Sequence, residues 1–243
     1  GLGSSSSFAV GLLQCLAMLR GRIDSRFGLA QYAIKLERDH LKEAGGWQDQ
    51  IAAAYGGLNL ITFFAKQEGF TMPFRVEPLF RSDIGDLVQQ AHRMGELERH
   101  LLLVYLGNSR MSAEISDKLQ DNIEANSKRL GQMTAMAHDG KSILEGRGPI
   151  TGFGELLHES WMLKRSLAPG ITTPDIDSLY DRARSAGSIG GKMLGAGGGG
   201  FLLLFVAPEL REQVAKAVWP NKVVDFKFSS KGSKIIYQDW GYL

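Results

Sequence analysis

A single cysteine, Cys15, stands in the 243 residues, which excludes an internal disulfide framework and fits a reducing compartment, with the cytoplasm as the expected location. Long hydrophobic runs are missing too. The longest, Phe201 to Ala207, falls far short of the ~20 residues that a membrane-crossing helix needs, and no charged-then-apolar signal segment is present at residue 1. Charge of one sign is not in excess: charged residues make up 22% and the formal net charge is +2. Such a balance leaves no electrostatic footprint for nucleic acid or an anionic membrane, so partners have to be inferred from sites. Internal repeats are absent, and nothing in the sequence speaks to oligomeric state. What is plentiful is apolar material, 44% of residues, enough for a sizeable core in one large domain or two lobes.

Apolar spacing at Phe8, Leu12, Leu13, Leu16 and Leu19 predicts a helix directly after the serine run 4–7, where serine is a favoured cap. A second helix is expected over Ser25 to Ala44, ended by Gly45-Gly46, and a short one within GGWQDQIAAAYGG. LNLITFF (58–64), FTMPFRVEPL and HLLLVYLG (100–107) read as strands. One long helix is expected from Ser112 to about Gly140, another over Phe153 to Leu167, and a third, after the Pro169-Gly170 turn and Thr172-Thr173-Pro174, over Asp175 to Ala186. Then come a strand, a glycine loop, a strand and a helix. KVVDFKFSSKGSKIIYQDW reads as two short strands joined by a polar turn at 229–232. Segregated helices and strands of this kind indicate an α+β fold in two lobes.

Three stretches carry chemistry. GLGSSSS places glycines and hydroxyls at the start of a helix, whose unpaired N–H groups and partial positive charge favour an anion by ~0.3–1 kcal/mol. A capped helix behind a flexible linker would look the same. GAGGGG at 195–200 satisfies G-x-G-x-x-G, yet a strand follows it where a dinucleotide fingerprint needs a helix, and no Gly-Lys-Ser/Thr closes it as a Walker loop would. Its length exceeds what a tight hairpin requires, which favours close packing against another loop or a ligand. Glu37 and Asp49 lie on either side of the glycine break, so they could converge, one holding a metal ion and one accepting a proton. Taken singly, each is equally readable as a solvated surface acid.

The order GLGSSSS, GGWQDQ, KMLGAGGGGF resembles the GHMP small-molecule kinases, and the likeness runs along the whole chain. With LERDHLKEAGGWQDQIAAAYGG, LLLVYLGNSR, FGELLHESWMLKRSL and GSIGGKMLGAGGGGF, it is most similar within that superfamily to the D-glycero-D-manno-heptose 7-phosphate kinases. Those enzymes transfer the γ-phosphoryl group of ATP to the anomeric hydroxyl of a phosphorylated heptose, on the way to nucleotide-activated heptose for surface polysaccharide. L-fucose kinases share GGWQDQ, so the sugar is less determined than the reaction, and the superfamily also contains non-catalytic ligand sensors. The resemblance implies a ribosomal-protein-S5-domain-2-like first lobe over residues 1–75 and a ferredoxin-like second lobe over 76–243, and it implies that a strand-rich segment precedes GLGSSSS in a longer chain.

By the same resemblance, Asp49 is the catalytic aspartate that orients or deprotonates the acceptor hydroxyl, and Glu37 with Ser5 holds Mg2+. Gly1, Leu2, Gly3, Ser4, Ser5, Ser6 and Ser7 wrap the β- and γ-phosphates of ATP, while Gly195, Ala196, Gly197, Gly198 and Gly199, with Gly200, shape the floor beside them. Gly46, Trp47, Gln48 and Arg110 are the implied substrate contacts. The implied partner is a small sugar or sugar phosphate, not nucleic acid or membrane.

Overall fold

The computed structural model describes residues 2–43, 45–64, 74–80, 87–107 and 112–237. Contacts divide the chain into two compact units. One comprises residues 3–59 with 228–243, the other residues 1–2 with 60–227.

The first unit is helical. Helix α1 (Ser4–Leu19) packs against α2 (Arg26–Lys35) and α3 (Gln48–Tyr55), and the residues between them are small or β-branched: Ala9, Val10, Ala30, Ala33, Ile51 and Ala54 are all buried. Short side chains let three helices approach closely. Ser25 caps α2 by accepting from the Gly28 N–H at 3.0 Å. Instead of running on to residue 44, α2 widens at Leu36–His40 into a π-turn, in which the Leu41 N–H reaches the Leu36 carbonyl at 2.9 Å; residue 44 itself lies outside the described residues. Such wide turns interrupt helices at functional positions more often than elsewhere. Glu37 stays in helical register with Ala30 and Ala33 and is carried inward with them.

The stretch 228–237 belongs to this unit and is not the expected strand. It is stitched to the end of α3: the Gly57 N–H donates to Ser229 O at 2.7 Å and the Ser233 N–H to Ala53 O at 2.9 Å, while the Ser233 hydroxyl bonds Gln14 of α1. Backbone groups satisfied by a helix end have no need of a strand partner. On the far side of α1, Phe8, Leu12, Leu16 and Leu19 are exposed, an apolar stripe at i, i+4 and i, i+3 spacing.

The second unit contains a two-stranded sheet, β1 (Asn59–Phe63) with β2 (Phe74–Pro78), and a four-stranded one. The latter is built from β3 (Leu101–Tyr105), β4 (Ser188–Met193), β5 (Phe201–Val206) and β6 (Lys222–Val224) in the order β4-β5-β3-β6. All its pairings are antiparallel, with Leu103 opposite both Leu203 and Val224. With α9 (Arg211–Ala217) crossing from β5 to β6 and several helices crossing from β3 to β4, this is the split βαββαβ arrangement. β3 and β5 are buried almost throughout, as a central pair covered by helices should be.

Helix α4 (Leu87–His100), which leads into β3, has no counterpart in the sequence reading. The long helix expected from Ser112 to Gly140 is two, α5 (Ser112–Asp121) and α6 (Ser127–Glu145). Asparagines make the break. Asn122 bonds back to Lys118 O at 2.7 Å, and the buried Asn126 amide donates to Leu167 O at 2.8 Å, competing with the helical ladder. α7 (Thr151–Arg165) and α8 (Pro174–Ser185) lie within a residue or two of expectation, α8 capped by Thr173 and led by Pro174. Their core with the sheet includes Trp161, Tyr180, Ile171, Met193 and Leu204.

Candidate active site

The first unit presents an open helix end. Gly3 caps α1 in a left-handed conformation (φ 66°, ψ 31°), no side chain caps it, and the first turn carries no acidic residue. The Ser7 N–H reaches Gly3 O at 2.8 Å, so the amides of Ser4, Ser5 and Ser6 are the ones left for an incoming anion. Ser4, Ser5 and Ser7 are exposed, as is Leu2.

Asp49 stands against this end. A Cβ placed on Gly3 would lie 3.1 Å from both Cβ and Cγ of Asp49 and 3.3 Å from its Oδ2. Only glycine combines that closeness with that backbone. Lost hydration first, and the neighbouring Glu37 second, hold the Asp49 carboxyl above the ordinary carboxylate value, with Arg38 pulling the other way. Arg38 in turn donates to the Glu43 and Gly46 carbonyls, fixing the loop that leads into α3.

Glu37 is the third component. Only 4% exposed, it accepts at Oε2 from the Ser6 hydroxyl (3.1 Å) and from the Gln50 amide, while its Oε1 is buried with no partner among the described residues. Gln50 Oε1 is in the same condition. Two buried, unbonded oxygens, one of them on a carboxylate, are costly unless a cation meets them. Among the described residues no three His, Cys, Asp or Glu gather into a metal cluster, but magnesium needs no such cage: one carboxylate, a hydroxyl and substrate phosphates suffice. The donor set therefore fits that ion.

Of the sequence candidates, Gly3, Ser6, Glu37 and Asp49 are brought together. Ser5 is exposed on the same turn, and it is Ser6, not Ser5, whose hydroxyl is bonded to Glu37. Trp47 is half-buried at the cap of α3, and the exposed Gln48 folds back over Gly46, where a Cβ would meet its Oε1 at 2.0 Å. Gly1 and Arg110 lie outside the described residues. Gly195, Ala196, Gly197, Gly198 and Gly199 form the turn between β4 and β5 in the second unit. This turn is pinned by bonds from Gly198 N–H to Ile171 O (2.9 Å) and from Gly200 N–H to Gly107 O (2.8 Å). Gly197 (φ 109°) passes so near Ile171 that a Cβ would sit 2.6 Å from its carbonyl oxygen.

Sequence reasoning missed Gln50. The signal was available: Gln50, Ile51 and Ala54 share the buried face of α3, and a buried glutamine beside an exposed aspartate implies a polar partner inside.

The chain is similar to known proteins along most of its length. Residues 1–57 match the GHMP kinases N terminal domain and residues 141–225 the GHMP kinases C terminal domain. A D-glycero-alpha-D-manno-heptose 7-phosphate kinase of Campylobacter jejuni is 28% identical over 238 residues, covering 96% of this chain and 66% of that protein. Mevalonate kinase of Methanothermobacter thermautotrophicus is 30% identical over 234 residues, covering 96% of this chain and 69% of that enzyme. A crystal structure of a D-glycero-D-manno-heptose 1-phosphate kinase from "Bacteriodes thetaiotaomicron" superposes with a TM-score of 0.70 at 26% identity, over 98% of this chain and 64% of that one. The chain thus spans slightly less than two thirds of the two heptose phosphate kinases. Two family domains in the right order, a 30% identical relative covered over most of its length and a shared fold leave one assignment: the chain belongs to the GHMP kinase family.

Proposed function

We propose that the protein is an ATP-dependent sugar kinase that phosphorylates the anomeric hydroxyl of D-glycero-D-manno-heptose 7-phosphate. The observation that carries the reading is the Asp49 carboxyl lying against the uncapped end of α1, beside a buried Glu37 with one oxygen unbonded. Likeness to heptose phosphate kinases supports the sugar.

In this reading the amides of Ser4 to Ser6 and the positive end of α1 bind the terminal phosphates of ATP. Glu37 Oε1 and the Ser5 hydroxyl are the groups that would hold magnesium, and Ser6 and Gln50 keep Glu37 turned for that task. When bound, the ion neutralises charge on the transferring phosphoryl group. Asp49, partly stripped of water, accepts the proton of the acceptor hydroxyl as its oxygen forms the new P–O bond. The bond between the γ-phosphorus and the bridging oxygen breaks, and ADP leaves. Positioning and charge stabilisation do most of the work in such a transfer, and a proton acceptor adds ~10²–10⁴ in rate.

The test is ADP release with ATP and magnesium against heptose 7-phosphate, fucose, galactose, mannose and mevalonate, repeated with Asp49→Asn. Turnover of the heptose phosphate, lost by ~10²-fold or more in the variant while ATP still binds, is the expected result. Turnover of fucose alone would favour the second reading, an L-fucose kinase, which GGWQDQ supports. Binding without turnover of any sugar would make the protein a sensor.

A further inference from the structure

Between the π-turn and α3 the backbone is strained, and one side chain spans the strained stretch. Lys42 stands in the left-handed region (φ 55°), which residues with a Cβ seldom occupy, and Gly45 has φ 138°. Such conformations persist only where the surroundings over-determine them. At the start of the stretch the Leu41 N–H reaches Leu36 O and the Glu43 N–H reaches Glu37 O, both at 2.9 Å. Beyond that point the hold passes to Arg38, whose Nη1 donates to the Glu43 carbonyl and whose Nη2 donates to the Gly46 carbonyl. The fit is close, since a Cβ on Gly45 would lie 3.1 Å from that Nη2.

Two features set Arg38 apart from a solvated arginine. Both of these bonds go to main-chain carbonyls, three residues apart, a span suited to the two prongs of a planar guanidinium and not to the point charge of a lysine. Its Nε is buried with no partner among the described residues, a cost that an arginine in water avoids. Where the clasped chain leads is what gives these bonds a consequence. Trp47 follows Gly46 at the start of α3 and supplies no side-chain cap, and Asp49 is the second residue of that helix. The Ile51 N–H reaches Trp47 O at a long 3.3 Å, so the first turn of α3 does little to fix itself and takes its place from the chain before it. Every residue in this chain of contacts lies in the first unit.

We propose that Arg38 is a positioning residue for the proton acceptor: by clasping the Glu43 and Gly46 carbonyls it fixes where α3 begins, and so holds Asp49 against the end of α1. The proposal rests on the reading of Asp49 given above and goes beyond it in naming the side chain that keeps that carboxyl in place.

Arg38→Ala tests it. With the heptose phosphate as acceptor, kcat should fall about tenfold while the KM for ATP changes by less than about threefold. The amides of Gly45, Gly46 and Ile51 should exchange hydrogen at least about tenfold faster, and those of α1 and α2 at the wild-type rate. Millimolar guanidinium should restore part of kcat to this variant, and ammonium at the same concentration should not. Arg38→Lys, which keeps the charge without the fork, should stay below about a third of the wild-type kcat. Unchanged kcat with unchanged exchange would overturn the proposal, as would faster exchange throughout α1, α2 and α3 with no recovery by guanidinium, which marks a strut for the whole bundle. Failure of the kinase reading is separable: it appears in the wild-type protein as absence of turnover, and exchange at Gly45, Gly46 and Ile51 still decides whether Arg38 fixes the start of α3.

Discussion

Replacing Gly3 by alanine, with Gly21→Ala as its control, isolates the contact on which the proposed chemistry turns. Both glycines have nearly the same left-handed backbone, φ 66° and 67°, but a Cβ on Gly21 meets nothing within 4 Å, whereas one on Gly3 meets Asp49 at 3.1 Å. The conformational strain is therefore common to both variants. It costs about 1–2 kcal/mol, partly offset by ~0.4–1 kcal/mol from the stiffer unfolded chain. Each should lose a few degrees in Tm, at about 2–4 °C per kcal/mol for a protein of this size. Only Gly3→Ala also crowds Asp49. Carbon atoms prefer a separation of about 3.5–4.0 Å, so Asp49 must yield by roughly half an ångström. Where a 1 Å misplacement costs about 10²-fold, half of that should lower kcat by about tenfold. Thermal melts and ADP release, measured on both variants, give the comparison. Equal kcat for the two, with similar Tm losses, would refute the claim that Asp49 acts from the position seen against α1.

Glu37→Gln removes the carboxylate but keeps the shape; the magnesium concentration for half-maximal activity should rise at least about tenfold, and Mn2+ bound in the presence of ATP, counted by electron paramagnetic resonance, should fall in parallel. An unaltered metal requirement would take Glu37 out of the site. Lys164 of α7, which donates to Met193 O at 2.8 Å and to Gly195 O at 2.5 Å and is lowered by burial first and repulsion from Lys192 second, also predicts a pH effect on stability. Its value is about 7 in the folded chain against 10.5 for an ordinary lysine, so between those limits the unfolded chain binds more protons and stability rises with pH. The interval sets a ceiling of about 5 kcal/mol. Wild type should therefore gain on Lys164→Met in denaturant midpoint as pH climbs from 7 to 9.5, and parallel curves would show that Lys164 has an ordinary value.

How far the sequence revealed this arrangement depended on which forces were local. The proline-led α8 and the run Phe201–Val206 announced themselves through a cap and apolar patterning, while α1 did so through apolar spacing alone, because Gly3 and not a serine stands at its cap and no side chain caps it. The division between α5 and α6 did not, because apolar spacing continued across it while the decisive bond ran from Asn126 to Leu167, 41 residues away. Nor did the fate of residues 229–233, whose partners lie in α1 and α3. At the site, Glu37 and Asp49 were legible as residue types near a glycine break. That Ser6 and Gln50 converge on one oxygen of Glu37 and leave the other bare depends on packing of three helices, which no single stretch encodes. The same holds for Lys164, whose charge looks like a solvated surface residue until its carbonyl partners are seen.

The seam joining Ser229 and Ser233 to α3 makes the order of synthesis matter. The helix bearing Asp49 is made roughly 170 residues before the stretch that satisfies its far end, a delay of about 9–34 s at 5–20 residues per second. During that interval the carbonyl of Ala53 and the amide of Gly57 face water or a chaperone, and the nascent bundle remains unfinished until its distant brace arrives.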